Sequence, residues 1–440
     1  MTVAAQPAKP RYRAVGIREL DAIGRRFAIP RERLRTMHAV ARVFPFRTNE
    51  YVLERLIDWH AVPDDPIYQL TFPQRGMLAG DELEALLALA DRGTERDLEG
   101  LAARIQDGLN PHPGGQLDLN AARDDGVVIG GLQHKYRETV LVFPSAGQTC
   151  HAYCAYCFRW PQFVGRRELR MAAPDSRALV SYLRRHPEVT NVLFTGGDPL
   201  VMRAERLARY VEPLLDPSLG SLETLRIGTK ALVYWPYRFT TDPDADDLLR
   251  LFARVARAGR QLAVMLHVSH PRELETPEAE AALGRVRATG AVVYCQAPLA
   301  RHVNDDASVL LELWRRQLLL GCVPYYLFVQ RDTGPRRYFE VPLLDAYELF
   351  RAAYARLGGL GRTVRGPVMS ATPGKVVVDG TALVGGGPAF VLRFLQARDP
   401  DWVGVPFFAR ADPHAVWFDE LVPAAGDGWF FLRERSGCDA

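Results

Sequence analysis

Cysteine is scarce in this chain, with six in 440 residues. Three of them, Cys295, Cys322 and Cys438, are scattered, and the first two stand in apolar β-like runs where an inert buried thiol is the default. Such a distribution argues against a secreted disulfide framework, and the start, Met-Thr-Val-Ala-Ala-Gln-Pro, has no apolar signal-peptide core. A reducing, cytoplasmic setting is expected. Long apolar runs are missing too, so no segment reads as membrane-spanning. The net charge is only +3, and arginines interleave with acids along the helical stretches. That pattern reads as a solvated surface and weighs against nucleic acid as a partner. Repeats and low-complexity tracts are absent. What is left, 48% hydrophobic and 24% charged, suits a soluble enzyme with a large core, a barrel with appended segments.

The other three cysteines fall within eight residues, in Thr149-Cys150-His151-Ala152-Tyr153-Cys154-Ala155-Tyr156-Cys157. A Cys-x3-Cys-x2-Cys loop supplies three thiolates, one short of a closed tetrahedral zinc site or a saturated iron-sulfur cluster, so one metal position stays open for a reactant. His151 is the alternative fourth ligand, of a structural zinc, but as the neighbour of Cys150 its backbone makes joint ligation awkward. With an aromatic, Tyr156, before the third cysteine, the loop resembles that of the radical S-adenosylmethionine (SAM) enzymes. There the fourth iron of a 4Fe-4S cluster chelates the amino and carboxylate groups of SAM.

Residues 1 to about 130 read as helical and irregular, closing at the break Asn110-Pro111-His112-Pro113-Gly114-Gly115. From Thr139, short β-branched runs alternate with amphipathic stretches, the signature of βα units on a parallel sheet. Strands are expected at Thr139 to Pro144, Asn191 to Thr195, Thr224 to Gly228, Gln261 to Val268, Ala291 to Gln296 and Pro324 to Val329, with helices at 175–186, 203–215, 245–258, 277–289, 306–320 and 342–357. Six units predict an α/β fold, a partial (β/α)6 TIM-like barrel over 131–360, followed by a C-terminal segment over 361–440. Chemistry in such barrels gathers at the carboxyl ends of strands. The second strand runs into Thr195-Gly196-Gly197-Asp198, where glycines let a ligand approach the backbone and the aspartate adds a fixed anion. An ordinary turn is the bland alternative. The radical SAM resemblance implies that Thr195, Gly196, Gly197 and Asp198 receive the amino group of SAM and that Tyr156 packs near its adenine.

Further landmarks follow in order: Gly131-Leu132-Gln133-His134-Lys135-Tyr136, Arg226-Ile227-Gly228-Thr229-Lys230, Leu266-His267-Val268-Ser269-His270-Pro271, Val303-Asn304-Asp305 and Pro324-Tyr325-Tyr326-Leu327. Together they resemble the lysine 2,3-aminomutase family, whose members use SAM as a radical source and pyridoxal 5'-phosphate (PLP) to carry an amino group from Cα to Cβ. The resemblance implies that Lys375, after the turn Thr372-Pro373-Gly374, binds PLP covalently, which a desolvated lysine can do. A surface lysine at a strand start is the alternative. It further implies that Lys135 and Tyr136 hold the PLP phosphate, that Arg159 grips the substrate carboxylate with its planar fork, and that His267 and Gln296 line the cofactor pocket. A solvated cation, a packing tyrosine and a satisfied core histidine remain the plain readings of Lys135, Tyr136 and His267.

The chain also departs from that family. Its members bind zinc through cysteines after the Asn-Asp landmark and near the C-terminus; here Asp306 follows Asn304-Asp305 and only Cys438 remains, so no zinc site is expected. Of two aspartates that hold the far ammonium of lysine, Asp332 sits close to one position, and Ser370 or Ala371 takes the other. A lysine ammonium would then lack charge compensation.

The expectation is a PLP-dependent radical SAM aminomutase, an isomerase that converts a free L-α-amino acid into a β-amino acid, lysine being doubtful. An electron donor such as flavodoxin or ferredoxin would serve it, and association into a homo-oligomer is left open. The alternative is a PLP-independent radical SAM enzyme that oxidises, epimerises or rearranges another small molecule. A third reading is a non-catalytic protein stabilised by zinc or a cluster.

Overall fold

The computed structural model of the chain describes residues 10–426 and 428–432, so Cys438 lies outside the described residues. Two short strands, β1 (Ala14–Gly16) and β2 (Arg47–Asn49), pair antiparallel. Twelve more lie side by side in chain order in one open sheet: β3 (Ala121–Asp124), β4 (Val127–Tyr136), β5 (Thr139–Val142), β6 (Asn191–Phe194), β7 (Thr224–Thr229), β8 (Gln261–His267), β9 (Val292–Leu299), β10 (Val323–Val329), β11 (Arg365–Ser370), β12 (Gly374–Val384), β13 (Gly387–Ala397) and β14 (Pro406–Arg410). From β5 to β11 neighbours run parallel. Strands β3 and β4 extend one edge antiparallel, and β12 to β14 extend the other. The fold is therefore a partial TIM-like barrel with antiparallel flanks.

The six strands read from the sequence are β5 to β10. Strand β9 continues past Gln296 to Leu299, and β11 is a seventh parallel strand that the sequence conceals, because Arg-Gly-Pro-Val-Met-Ser breaks the apolar pattern. The expected division at 130/131 falls inside β4, and β11, just beyond 360/361, pairs with β10. The six expected helices are present at Arg177–Arg185, Ala204–Val211, Ala245–Arg257, Pro277–Arg287, Ala307–Leu319 and Leu343–Tyr354. Two of their starts carry side-chain caps for the orphan N–H groups. Thr276 accepts from the Ala279 N–H ahead of Pro277, and Asp306 accepts from the Ser308 and Val309 N–H groups. Helix Ala245–Arg257 buries Leu248, Leu251, Phe252 and Val255, a stripe at helical spacing that turns inward. Among the described residues no helix is long and apolar enough to cross a membrane.

Strand alternation decides what faces the barrel interior. In β6, Val192 and Phe194 are fully buried against the helical side while Leu193 faces a cavity. In β7, Leu225 and Ile227 are buried and Arg226 and Gly228 face that cavity; in β9, Cys295 is buried and Gln296 faces it. Each buried Val or Phe contributes about 1.5–3 kcal/mol, so a one-residue register slip would exchange core for cavity. The N-terminal helices Leu20–Arg26, Arg31–Val43, Gly80–Arg92 and Glu95–Gly108 share the barrel's main core. A second core under β12 to β14 centres on Phe390, Phe394, Phe407 and Trp417.

The cysteine loop is anchored from both sides. From the N-terminal region, the Tyr12 hydroxyl and the Asn49 amide donate to the His151 carbonyl at 3.0 and 3.1 Å, and the Arg47 and Leu70 carbonyls accept from the Tyr153 and Ala155 N–H groups at 2.9 and 2.7 Å. From the barrel, the Asp198 N–H donates to the Thr149 carbonyl at 2.7 Å. A Cβ added to Gly197 would lie 2.4 Å from Thr149 N and O, and Gly196, at φ +118°, packs on Gln148. Glycine here permits contact between the turn and the loop. Gly197→Ala is therefore expected to destabilise the protein by about 1–3 kcal/mol through overpacking and to lower iron incorporation into the cysteine loop. Gly220→Ala, which meets nothing within 4 Å, should leave both unchanged; thermal unfolding and iron analysis of the two variants provide the check.

Candidate active site

At the carboxyl ends of the parallel strands lies a cavity of about 310 Å³. A broader groove of about 710 Å³ among the N-terminal helices, lined by Asp21, Arg25 and His38, carries none of the residues singled out in the sequence. The smaller cavity carries nearly all of them: Cys150, Cys154, Cys157, Tyr156, Arg159, Thr195, Gly196, Gly197, Asp198, His267, Gln296, Lys135, Tyr136 and Lys375. Asp332 is not on its wall; the neighbouring Arg331 is.

The three thiols are free and partly buried. Burial raises all three pKa values, that of Cys154 to about 12 despite the lowering influence of Lys230. Thiols so costly to ionise call for a cation that shares the site, as iron does. Among the described residues no three His, Cys, Asp or Glu side chains close on a single metal ion; a cluster needs its thiols at separate corners. His151 is buried, its Nδ1 has no partner, and burial pushes its pKa down to about 3. Cys295 and Cys322 are buried and free.

Asp198 supports the cavity from behind. Its carboxylate accepts from the Thr229 hydroxyl at 2.8 Å and from the Lys230 and Leu200 N–H groups at 2.9 Å. The Lys230 ammonium in turn pairs with fully buried Glu273, which also accepts from the Ser269 and His270 N–H groups. The aspartate is thus already committed to ordering the strand ends, and what the turn offers a ligand directly is backbone. Tyr156 bonds Ser269 at 2.6 Å. His267, its pKa pressed to about 3 by burial with Lys230 and Arg159 adding, is neutral, so its Nε2 can accept from the Gln296 amide 2.8 Å away. Asn304 braces the same rim, donating to the Ser269 and Pro298 carbonyls.

On the opposite wall the charges are basic. Lys375 opens β12 between Ser370 of β11 and Gln396 of β13, donates to the Gln396 side-chain oxygen at 2.8 Å, and sits 4.9 and 5.5 Å from the ring centres of Tyr326 and Tyr136. Burial lowers its pKa to about 7, with Arg226 and Arg365 adding repulsion. Lys135, on β4, donates to the Ala371 carbonyl. Its pKa falls to about 6, first from burial and then from Arg331, Arg398 and Lys375. Arg159 is stacked on Phe143 and Phe158 at 4.6 and 4.8 Å, and its buried Nη1 has no partner. Its pKa is lowered to about 10 by burial, an effect Cys157 opposes and Arg331 reinforces. Two depressed lysines and an unsatisfied guanidinium fit anionic groups such as a phosphate and a carboxylate, since an anion restores the favourable charged state. Arg331 and Gln396 escape a sequence reading because nothing local marks them, and Arg226, part of a landmark, carries no role there; only the converging strands bring the three to this wall.

No family profile matches the sequence. A protein of Aquifex aeolicus whose name includes L-lysine 2,3-aminomutase is 31% identical over 394 residues, covering 90% of this chain and 92% of that one. The L-lysine 2,3-aminomutases of Haemophilus influenzae and Escherichia coli are each 28% identical, over 52% and 53% of this chain and 64% of theirs. Among solved structures, a radical SAM methyltransferase from Sphaerobacter thermophilus superposes with a TM-score of 0.37 at 19% identity over 80% of this chain and 93% of its own, a likeness too loose to carry an argument. Identity of 31% over nine-tenths of both chains places this chain in the lysine 2,3-aminomutase family of radical SAM enzymes.

Proposed function

We propose that the chain is an amino acid 2,3-aminomutase that moves the amino group of a free L-α-amino acid from Cα to Cβ with a 4Fe-4S cluster, SAM and PLP. Convergence on one cavity of three thiols, the glycine-aspartate turn, an unpaired arginine and a desolvated lysine carries this reading. When bound, the cluster with SAM supplies a hydrogen-abstracting carbon radical, and PLP supplies a conjugated carrier for the migrating nitrogen. Cys150, Cys154 and Cys157 would hold the cluster through three thiolates, one fewer than its four irons require. The backbone of Thr195, Gly196 and Gly197, kept in place by Asp198, would receive the SAM amino group, and Tyr156, His267 and Gln296 would line the rest of its pocket. Lys375 attaches PLP, Lys135 and Tyr136 meet its phosphate, and Arg159 fixes the substrate carboxylate so that the reacting carbons are held still. Aromatic walls around Lys375 keep water from the amine. A small reductant, a flavodoxin or ferredoxin, supplies the electron.

Anaerobic reconstitution followed by amino-acid screening tests this: β-isomers should appear only with SAM, PLP and a reductant present. Cys154→Ala should abolish iron-sulfur absorption and SAM cleavage with circular dichroism unchanged; cleavage at the native rate would overturn the radical assignment. Arg159→Ala should cost about 10- to 100-fold in kcat/KM for every accepted amino acid, and Arg159→Lys should recover little because the planar fork is lost.

A pH experiment addresses Lys375 separately. Only the neutral amine attacks PLP, so the initial rate of borohydride-trappable adduct formation in the PLP-free protein should fall by half near pH 7 as the pH is lowered, in place of the ordinary 10.5. Peptide mapping should find the label on Lys375 and not on Lys135. A half-point close to 10.5, or a label elsewhere, would rule out Lys375 as the attachment site.

A further inference from the structure

Six basic side chains line the cavity, Lys135, Arg159, Arg226, Lys230, Arg331 and Lys375, against one carboxylate, Asp198, whose oxygens are engaged by Thr229 and two backbone N–H groups. Lys230 is paired with Glu273. The proposed function occupies Lys375, Lys135 and Arg159, and Arg226 lies beside Lys375. Arg331 has no assigned task. Its side chain is 15% exposed, and its Nε has no hydrogen-bond partner. One terminal nitrogen reaches only the Pro113 carbonyl, at 3.5 Å. Asp332, 3.5 Å from Nε, offsets part of the charge without hydrogen-bonding it. A guanidinium held this way is costly unless an anion joins it.

Its position shows which anion. Arg331 and Arg159 lie against the same ring, that of Phe158, with their guanidinium carbons 5.4 and 4.8 Å from its centre. The fork assigned to the α-carboxylate and a second fork thus share one ring, and Arg331 also lies 5.5 Å from the ring centre of Trp417. Both arginines line one cavity, so an amino acid whose α-carboxylate is held by Arg159 would have Arg331 within reach of its far end. A far ammonium would meet the Arg331 guanidinium with Asp332 beside it to offset part of the charge, whereas a carboxylate would meet a planar donor of matching geometry. We propose that Arg331 binds a carboxylate at the far end of the substrate, which is therefore a short dicarboxylic α-amino acid. This rests on the aminomutase reading and makes Arg331 its specificity determinant.

The test uses the full chain, reconstituted with iron, sulfide, SAM and PLP. L-glutamate, L-aspartate, L-glutamine and L-lysine are assayed for β-isomer formation, and their binding is measured by calorimetry. One of the dicarboxylates should be preferred over both glutamine and lysine by about ten-fold or more, in turnover and in binding. Arg331→Gln should cut the dicarboxylate-to-glutamine preference by about ten-fold, with PLP content unchanged. Arg331→Lys, which keeps the charge, should retain part of the preference and decides the matter if the glutamine variant does not fold. Loss of PLP from both variants would assign Arg331 to the cofactor phosphate and overturn the inference. A wild-type preference for lysine or glutamine would overturn it while leaving the aminomutase reading standing. Failure to isomerise any amino acid, with cluster and PLP loaded, would overturn that reading and the inference together.

Discussion

Two buried carboxylates hold the working end of this barrel together. Asp198 joins the glycine turn after β6 to the end of β7, and Glu273 joins Lys230, at that same end, to the Ser269-His270 segment after β8. A buried ion survives only if partners surround it, and removing one partner typically costs about 3–5 kcal/mol because the other charge is then stranded. The strand ends must therefore adopt this arrangement together. The turn that presses on the cysteine loop, the tyrosine before its last cysteine and the histidine at the end of β8 all hang from these two anions.

The consequence is a division of charge. Asp198 and Glu273 are turned into the scaffold, where backbone, Thr229 and Lys230 satisfy them, while of the bases on the far wall Arg331 has Asp332 at 3.5 Å and Lys135, Arg159 and Lys375 point inward with no carboxylate among the described residues paired to them. Aromatic rings of Phe158, Tyr136 and Tyr326 take the place of counterions around those bases, giving orientation and desolvation without neutralisation. Such a wall selects by charge before shape.

How much of this is legible in the sequence depends on the distance over which each feature is determined. The cysteine loop, the glycine-aspartate turn and six βα units are local patterns, and they emerge where the residues indicate. Strand β11 is hidden because glycine and proline interrupt its alternation, and its strand character comes from pairing with β10 and β12. The clamp of Tyr12 and Asn49 on His151 spans 139 and 102 residues, beyond any window of periodicity. Asp198 illustrates a subtler limit: its position at the site can be read, but its engagement by Thr229 and Lys230 cannot. Lys135 and Tyr136, expected just before the first strand, belong to an antiparallel strand of their own, which carries them to the cavity wall.

The inward-facing bases also link cargo to survival in the cell. An empty cavity stores mutual repulsion between groups that cannot retreat to water, and each anion that enters converts that stored repulsion into binding energy. A ligand that binds only the folded chain stabilises it by mass action, so an anion that fills this cavity also shields the chain from proteases that attack partly open copies. For a cavity built this way, filling the site and keeping the fold are one equilibrium.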